Sequence, residues 1–199
     1  IKRTNVSSYR AQRRGGKGVI GMATREGEGE EASDFIEHLF TASTHDYLMF
    51  FTNIGRTYVE RVHEIPDMGR ASKGRSIANL LELKPDEKIA ALIRIQARIG
   101  PNDEDQTWTD NEFLLMATRN GTVKKTPLNE FANIRKGGII AINIEDNDRL
   151  IDVKLTCGND EVVLITSGGM SIRFHEEDAR PMGRATYGVR GISLDDKDA

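Results

Sequence analysis

The chain has 199 residues, 38% hydrophobic and 30% charged, with a formal net charge of −3, enough apolar material to bury the core of one large domain or two small ones. Its apolar runs are short, Ile139-Ile140-Ala141-Ile142 being typical, which excludes a membrane-spanning helix, and the opening Ile1-Lys2-Arg3-Thr4 has neither an initiator Met nor an apolar leader, so no export signal is expected. One cysteine, Cys157, excludes an internal disulfide and a cysteine-clustered zinc site, the histidines (His38, His45, His63, His175) are scattered, and so small a net charge, taken alone, argues against nucleic acid.

The charges are segregated, however, and that changes the argument. Between Ile1 and Arg25 stand Lys2, Arg3, Arg10, Arg13, Arg14, Lys17 and Arg25 with no acid among them; Glu26, Glu28, Glu30, Glu31, Asp34 and Glu37 follow at once. Inside this stretch Gln12-Arg13-Arg14-Gly15-Gly16-Lys17-Gly18 packs three cations and three glycines into seven residues. Glycines let a backbone approach a phosphate chain and expose its N–H groups. Arg and Lys supply phosphate contacts that ignore sequence. No aromatic residue interleaves to stack single-stranded bases, so a duplex backbone fits better than splayed bases. A flexible, exposed loop without a ligand is the bland alternative. Gly16-Lys17-Gly18-Val19-Ile20-Gly21 also matches the G-x-G-x-x-G dinucleotide pattern, but no apolar strand precedes it and no helix follows.

Asp34–Leu39 is the one short helix candidate, although a strand there fits the repeat described below. Strands are expected at 47–52, 56–61, 77–81 and 89–95, then 113–118, 122–126, 139–144 and 150–156, then 161–166 and 170–175, because the apolar runs are continuous or alternating rather than spaced at 3.6. An acidic insert, Gly100 to Asp110, carries Trp108, read as a surface-loop or blade-edge residue. Basic glycine loops recur along the chain: Met68-Gly69-Arg70-Ala71-Ser72-Lys73-Gly74 with Arg75, Ala132 to Gly138 with Arg135 and Lys136, and Met182-Gly183-Arg184-Ala185-Thr186-Tyr187-Gly188 with Arg190. Gly69 to Ser76 nearly matches a P-loop, with Arg75 where the lysine belongs, but lacks the strand-to-helix context. Asp103-Glu104-Asp105 and Asp146-Asn147-Asp148 lack the calcium-loop glycine and terminal Glu. No nucleophile–base pair and no metal ligand set is evident, and Tyr9, Tyr47, Tyr58 and Tyr187 have no acid–base partner.

Internal repeats organise these elements. Asp46 to Tyr58, Glu112 to Val123 and Asp160 to Ile172 each read as an acid, an apolar run, Thr-x-x-Gly and a further apolar residue, which is a hairpin signature with a turn glycine. Met182 follows Met68 by the same interval as Thr166 follows Thr52. Each unit therefore holds about four strands, and the units fall near 1–45, 46–111, 112–159 and 160–199. Four-stranded units of this length mean an all-β, propeller-like radial array of blades. Ile1-Lys2-Arg3-Thr4 matches Val123-Lys124-Lys125-Thr126, so roughly four blades are expected, the first and last incomplete, with at least one blade edge lacking its partner.

At Gln12–Gly18 the chain resembles the C-terminal domain family of the DNA gyrase A subunit, whose seven-residue box it carries intact; Ile1-Lys2-Arg3-Thr4, Val123-Lys124-Lys125-Thr126 and the Met-Gly-Arg-Ala loops fit as well. The resemblance covers the whole chain. It implies a six-bladed β-pinwheel, about four blades of which are here, that wraps duplex DNA around a basic rim without reading its sequence. The box would fasten the wrap, so that strand passage by the parent type IIA topoisomerase introduces negative supercoils. The DNA contacts so implied are Gln12, Arg13, Arg14, Gly15, Gly16, Lys17 and Gly18, with Lys2, Arg3, Arg10, Arg70, Lys73, Arg75, Arg135, Lys136, Arg184 and Arg190. The resemblance places the catalytic tyrosine and the ATP and Mg sites elsewhere in the parent enzyme, and it implies no catalytic residue, cofactor or metal in this chain. The partners it implies are the rest of the gyrase A protein and the gyrase B protein, which carries the ATPase, in an A2B2 complex. It also implies a bacterial cytoplasmic, nucleoid-associated location and no membrane. The alternatives are a topoisomerase IV C-terminal domain, where the box is typically degenerate or missing, and a propeller that binds an acidic protein.

Overall fold

A computed structural model describes residues 1–24, 34–195 and 198. The acidic run from Glu26 to Glu31, together with Arg25 and Asp196, lies outside the described residues. Ten strands form: β1 (Tyr47–Thr52), β2 (Arg56–Arg61), β3 (Ile89–Ile95), β4 (Phe113–Thr118), β5 (Thr122–Pro127), β6 (Ile139–Ile140), β7 (Leu150–Thr156), β8 (Glu161–Ile165), β9 (Ser171–His175) and β10 (Val189–Arg190). Short 3-10 turns are the helical elements among the described residues.

Each Thr-x-x-Gly builds a hairpin turn by the same bonds. Gly55, Gly121 and Gly169 donate to the carbonyls of Thr52, Thr118 and Thr166 at 2.9, 3.1 and 3.0 Å, with φ of 78°, 82° and 86°. The threonine hydroxyls accept from the N–H that starts the second strand, at Arg56, Thr122 and Met170. The acid that opens each repeat also recurs in the backbone, where Val62, Leu128 and Glu176 donate to the carbonyls of Asp46, Glu112 and Asp160.

All pairings within the sheets are antiparallel. The first sheet runs β3-β1-β2-β6 and the second β7-β4-β5-β10, while β8 and β9 form a two-stranded sheet. This corrects the expectation that each unit holds its own four strands. The first sheet is completed by β6, which follows the second hairpin in sequence, and the second sheet by β10, which follows the third. The turn glycines allow the crossing. Ala141 and Ile142 donate to the carbonyl of Gly55, and Gly191 and Ile192 to that of Gly121; a Cβ on Gly121 would stand 2.6 Å from the Ile192 carbonyl oxygen. Gly169, in the hairpin with no crossing strand among the described residues, has nothing within 4 Å of that position.

Three other expectations are corrected. The segment at 77–81 is a 3-10 turn, Ile77–Asn79. Ile77, Leu80 and Leu81 stand at helical spacing, and all three pack with Phe50 and Tyr58. Residues 34–39 form no regular element, and Phe35 and Leu39 are exposed, because no neighbouring strand among the described residues supplies a ladder. Expected strand 139–144 shrinks to Ile139–Ile140.

Met49 and Phe51 of the first sheet pack against Leu114 and Met116 of the second, with Leu128, Phe131 and Ile142 closing the seam. Phe51 meets Phe131 edge-on at 6.5 Å. Trp108 is half-buried against this core and edge-on to Tyr47 at 5.1 Å, so this end of the acidic insert is anchored on the first sheet and Trp108 does not stand on a free surface loop, the first of its two expected placements. Leu115 packs on Val162 and Ala179 of the last unit. Sheets therefore stack face to face in chain order, as blades do.

Candidate nucleic-acid interface

The Gln12–Gly18 segment is a closed loop. The Gln12 side-chain amide donates to the Gly18 carbonyl at 3.2 Å and accepts from the Gly18 N–H at 3.0 Å. Gly16 N–H closes a turn on the Arg13 carbonyl at 3.0 Å. Gly15 and Gly18 sit at φ 86° and 75°, and a side chain on Gly16 would strike the Gln12 amide, 2.8 Å away. One glutamine and three glycines thus shape a lasso, and Arg13, Arg14 and Lys17 project from it exposed, with no ion pair to a described residue.

The lasso is tethered at its neck. The Tyr9 hydroxyl reaches the Gly21 carbonyl at 3.4 Å. The Arg70 guanidinium donates to the Ile20 carbonyl, and Ala23 N–H donates to the Ser72 carbonyl at 3.3 Å. The box and the loop at 69–74 are therefore neighbours. Lys73 and Arg75 are exposed on the second loop.

The remaining loops continue the series. Glu82, which accepts from the Tyr58 hydroxyl through its carbonyl, lies with its carboxylate 3.7 Å from the Cβ position of Gly137. Arg56 donates to the Gly137 carbonyl, and exposed Arg135 and Lys136 crown that loop. Asn143 then spans to the last loop, its N–H donating to the Thr186 carbonyl at 3.0 Å and its amide to the Ala185 carbonyl at 3.1 Å. Between these loops lies a groove of about 500 Å³ lined by Arg56, Glu130, Ile139 and Arg184. Arg190 is exposed on β10. Contacts thus join the box to the loop at 69–74, and the segment after β6 to the loop at 183–188, in chain order.

Four bases grouped with these from sequence are engaged by the protein instead. Lys2 donates to the carbonyls of Gly69, Arg70 and Ser72. Arg3 donates to the Ile65 carbonyl and lies 3.4 Å from Asp67. Arg70 holds the box neck, and Arg184 is half-buried, 3.8 Å from Glu130. For Lys2 the cause is the strand period, which turns this side chain, like Lys124 of β5, beneath a basic loop; Arg70 and Arg184 are loop residues, drawn in by the Ile20 carbonyl and by Glu130. Sequence reasoning also passed over Lys124, Arg56, Tyr58 and Asn143, which hold the loops from below. The available signal was the lysine shared by Ile1-Lys2-Arg3-Thr4 and Val123-Lys124-Lys125-Thr126.

Burial, followed by the Arg184 guanidinium, pushes the Lys124 ammonium down to about 8, against the opposing pull of Glu130. Burial, then Glu64, raises the Glu60 carboxyl to about 7, while Lys136 on the neighbouring basic loop works to lower it. Among the described residues, no three His, Cys, Asp or Glu side chains stand together as a metal site.

A family model described as DNA gyrase C-terminal domain, beta-propeller, matches residues 1–30, 46–96, 112–157 and 160–199. The chain is 44% identical over 191 residues to the DNA gyrase A subunit of Clostridium acetobutylicum, covering 96% of this chain and 21% of that one. It is 45% identical over 193 residues to the same protein of Halalkalibacterium halodurans, covering 97% and 21%. The chain thus spans about a fifth of the length of these relatives. Among solved structures, a C-terminal domain of DNA topoisomerase IV matches with a TM-score of 0.67 and 34% identity, over 78% of this chain and 45% of that one. A DNA gyrase A C-terminal domain matches in fold, with a TM-score of 0.64 and 24% identity over 99% and 58%. Three hairpins that share their turn bonds, sheets completed from the following unit, and matches that span all four repeats make this chain a member of the DNA gyrase C-terminal domain, beta-propeller family.

Proposed function

We propose that this chain binds duplex DNA through its phosphates and bends it around the arc of basic loops, as the wrapping part of a gyrase A protein. The observation that carries this is the Gln12–Gly18 lasso: a loop closed on itself, exposing three cations with no carboxylate partner among the described residues, and tethered to the next basic loop in the arc. Arg10, Arg13, Arg14, Lys17, Lys73, Arg75, Arg135, Lys136 and Arg190 would meet phosphates; Lys2, Arg3, Arg70 and Arg184 would support them. Smooth bending costs about 1–6 kcal/mol per 20–30 bp, and contacts distributed along a curved rim offset it without base readout. In the parent enzyme the wrap would favour negative supercoiling driven by ATP bound elsewhere, alongside the gyrase B protein and the rest of gyrase A, at the nucleoid. This reading assigns no catalytic, cofactor or metal role to the chain itself.

The test is topological. The chain is bound to relaxed circular DNA, and a nicking–closing enzyme then traps any writhe. Trapped writhe that weakens with salt, with log K falling by about 0.9 per phosphate contact in log salt, supports the reading. Salt-independent or sequence-restricted binding would sink it in favour of an acidic protein partner. A topoisomerase IV domain is the second reading, favoured by the 34% identity to that structure. The intact box separates the two. Changing Arg13, Arg14 and Lys17 to Ala in the whole enzyme should abolish supercoiling while sparing relaxation and cleavage, and in this chain it should reduce DNA bending far more than affinity. The stability change should stay within about 1 kcal/mol, since the loop buries little. An unaltered whole enzyme that relaxes DNA but introduces no negative supercoils points to the topoisomerase IV reading.

A further inference from the structure

The lysine at the second position of the repeated Lys-Lys/Arg-Thr strand stands apart from the chemistry already described. Lys124 lies in β5 opposite Met116, and its side chain has no exposed surface. A buried ammonium is costly unless its donors are satisfied. Here no carboxylate of a described residue lies within ion-pair distance. Its three N–H groups are met instead by three carbonyls, those of Ala141 at 2.8 Å, Thr186 at 3.2 Å and Arg184. Lys2 repeats the arrangement two blades earlier, on the carbonyls of Gly69 at 3.1 Å, Ser72 at 3.0 Å and Arg70. Arg70 and Arg184 are equivalent residues of the two Met-Gly-Arg-Ala loops, as are Ser72 and Thr186. A three-carbonyl cap, two of its carbonyls at equivalent loop positions, has thus been built twice, each time under a basic loop; the third is Gly69 of the loop itself for Lys2 and Ala141 for Lys124.

We propose that Lys124 and Lys2 are positioning residues for DNA binding: from beneath the sheet each ammonium draws in the carbonyls of one basic loop and fixes the bases that the loop presents outward. The inference rests on the DNA-wrapping reading and deepens it. An unsupported loop samples many shapes, so ordering it on DNA subtracts from affinity. With its carbonyls held inward, the loop presents its remaining polar groups and its cations ready-formed. For Lys2 the effect travels further, because the loop it caps holds the box neck through Arg70 and Ser72.

Lys124→Met keeps the length of the side chain and removes its donors; Lys2→Met, at a half-exposed site, serves where Lys124→Met fails to fold. Amide hydrogen exchange without DNA should rise in residues 183–188 for Lys124→Met and in 69–75 for Lys2→Met, with β4 and β5 still protected. DNA affinity should fall, and its salt slope should lose about 0.9, one phosphate contact. In a double-mutant cycle, Lys124→Met with Arg190→Ala should cost less than the two single losses combined, because Arg190 stands on β10, which directly follows the loop that Lys124 caps. Unchanged loop exchange, fully additive losses, or global unfolding of both variants would each overturn the proposal. Failure of the unaltered chain to bind DNA would overturn the wrapping function, and this proposal with it, whatever the exchange arm reads.

Discussion

Two of the basic loops, at 69–74 and 183–188, rest on a lysine ammonium, whereas the loop at 135–138 rests on an aromatic ring. The strand position that holds Lys2 and Lys124 holds Tyr58 in the first complete sheet. Its ring lies against Gly138, its hydroxyl donates to Glu87 and to the Glu82 carbonyl at 3.0 Å, and Arg56, over the ring at 5.6 Å, donates to the Gly137 carbonyl. The lysine loops are held by hydrogen bonds from the ammonium to their carbonyls, and the tyrosine loop by ring packing together with one such bond from Arg56. In all three a cation sits under the loop, Lys2, Arg56 or Lys124, and adds its field to that of the exposed bases above. The comparison teaches that what is kept from blade to blade is a supported, positively charged loop, while the device that supports it changes.

The largest expected effect separates the two devices by sterics. Gly138 has φ 69°, and a Cβ there would stand 2.7 Å from the Tyr58 ring; at Gly183 nothing lies within 4 Å. Gly138→Ala should therefore cost about 2 kcal/mol or more, against less than about 0.5 kcal/mol for Gly183→Ala, by urea denaturation. Equal costs would break the comparison. Next in size is Tyr58→Phe, which keeps the ring and removes the hydroxyl donated to buried Glu87. It should cost about 1–2 kcal/mol, yet leave hydrogen exchange at 135–138 unchanged, since packing and Arg56 still hold the loop.

The smallest effect is a pH dependence carried by Lys124, which faces Arg184 and Glu130. Unfolded, the lysine keeps its proton to near 10.5; folded, it releases it near 8. Between those values the unfolded chain binds more protons, so the contribution of this group to stability rises with pH. Melting curves of the unaltered chain should therefore gain on those of Lys124→Met as pH goes from 8 to 10. A constant gap would show that the three carbonyls hold the proton on the ammonium throughout. Independently of the supports, Gln12→Ala should open the lasso, seen as faster exchange at Gly18, with little change in thermal midpoint.

Much of this architecture is legible in the sequence because it is local. Thr-x-x-Gly encodes a turn within four residues, and β1, β2, β4, β5 and β7 follow from apolar runs that flank such turns or close a unit. The exchange of β6 and β10 between units is not legible. Each has two residues, too few to show a period, and their pairing with β2 and β5 is decided by tertiary contact at Gly55 and Gly121. Ile77–Leu81 reads as a strand only if its spacing is ignored. Among the site residues, the exposure of Arg13, Arg14 and Lys17 follows from a loop without apolar residues. The inward turn of Lys2 and Lys124 needs the strand phase, which a lysine in a polar context does not reveal.

The crossing strands have a mechanical consequence. Gly138 is followed directly by β6 and Gly188 by β10, and these strands hydrogen-bond to the hairpin of the preceding unit. An outward pull on the 135–138 or 183–188 loop is therefore resisted by ladders in the sheet behind it as well as by the loop's own unit. Load applied at one point on the rim is shared by two adjacent sheets, as tension is shared between links of a chain. A stiff polymer straining to straighten would be opposed by backbone bonds pulled along the strand direction, where several must yield together, rather than peeled open one at a time.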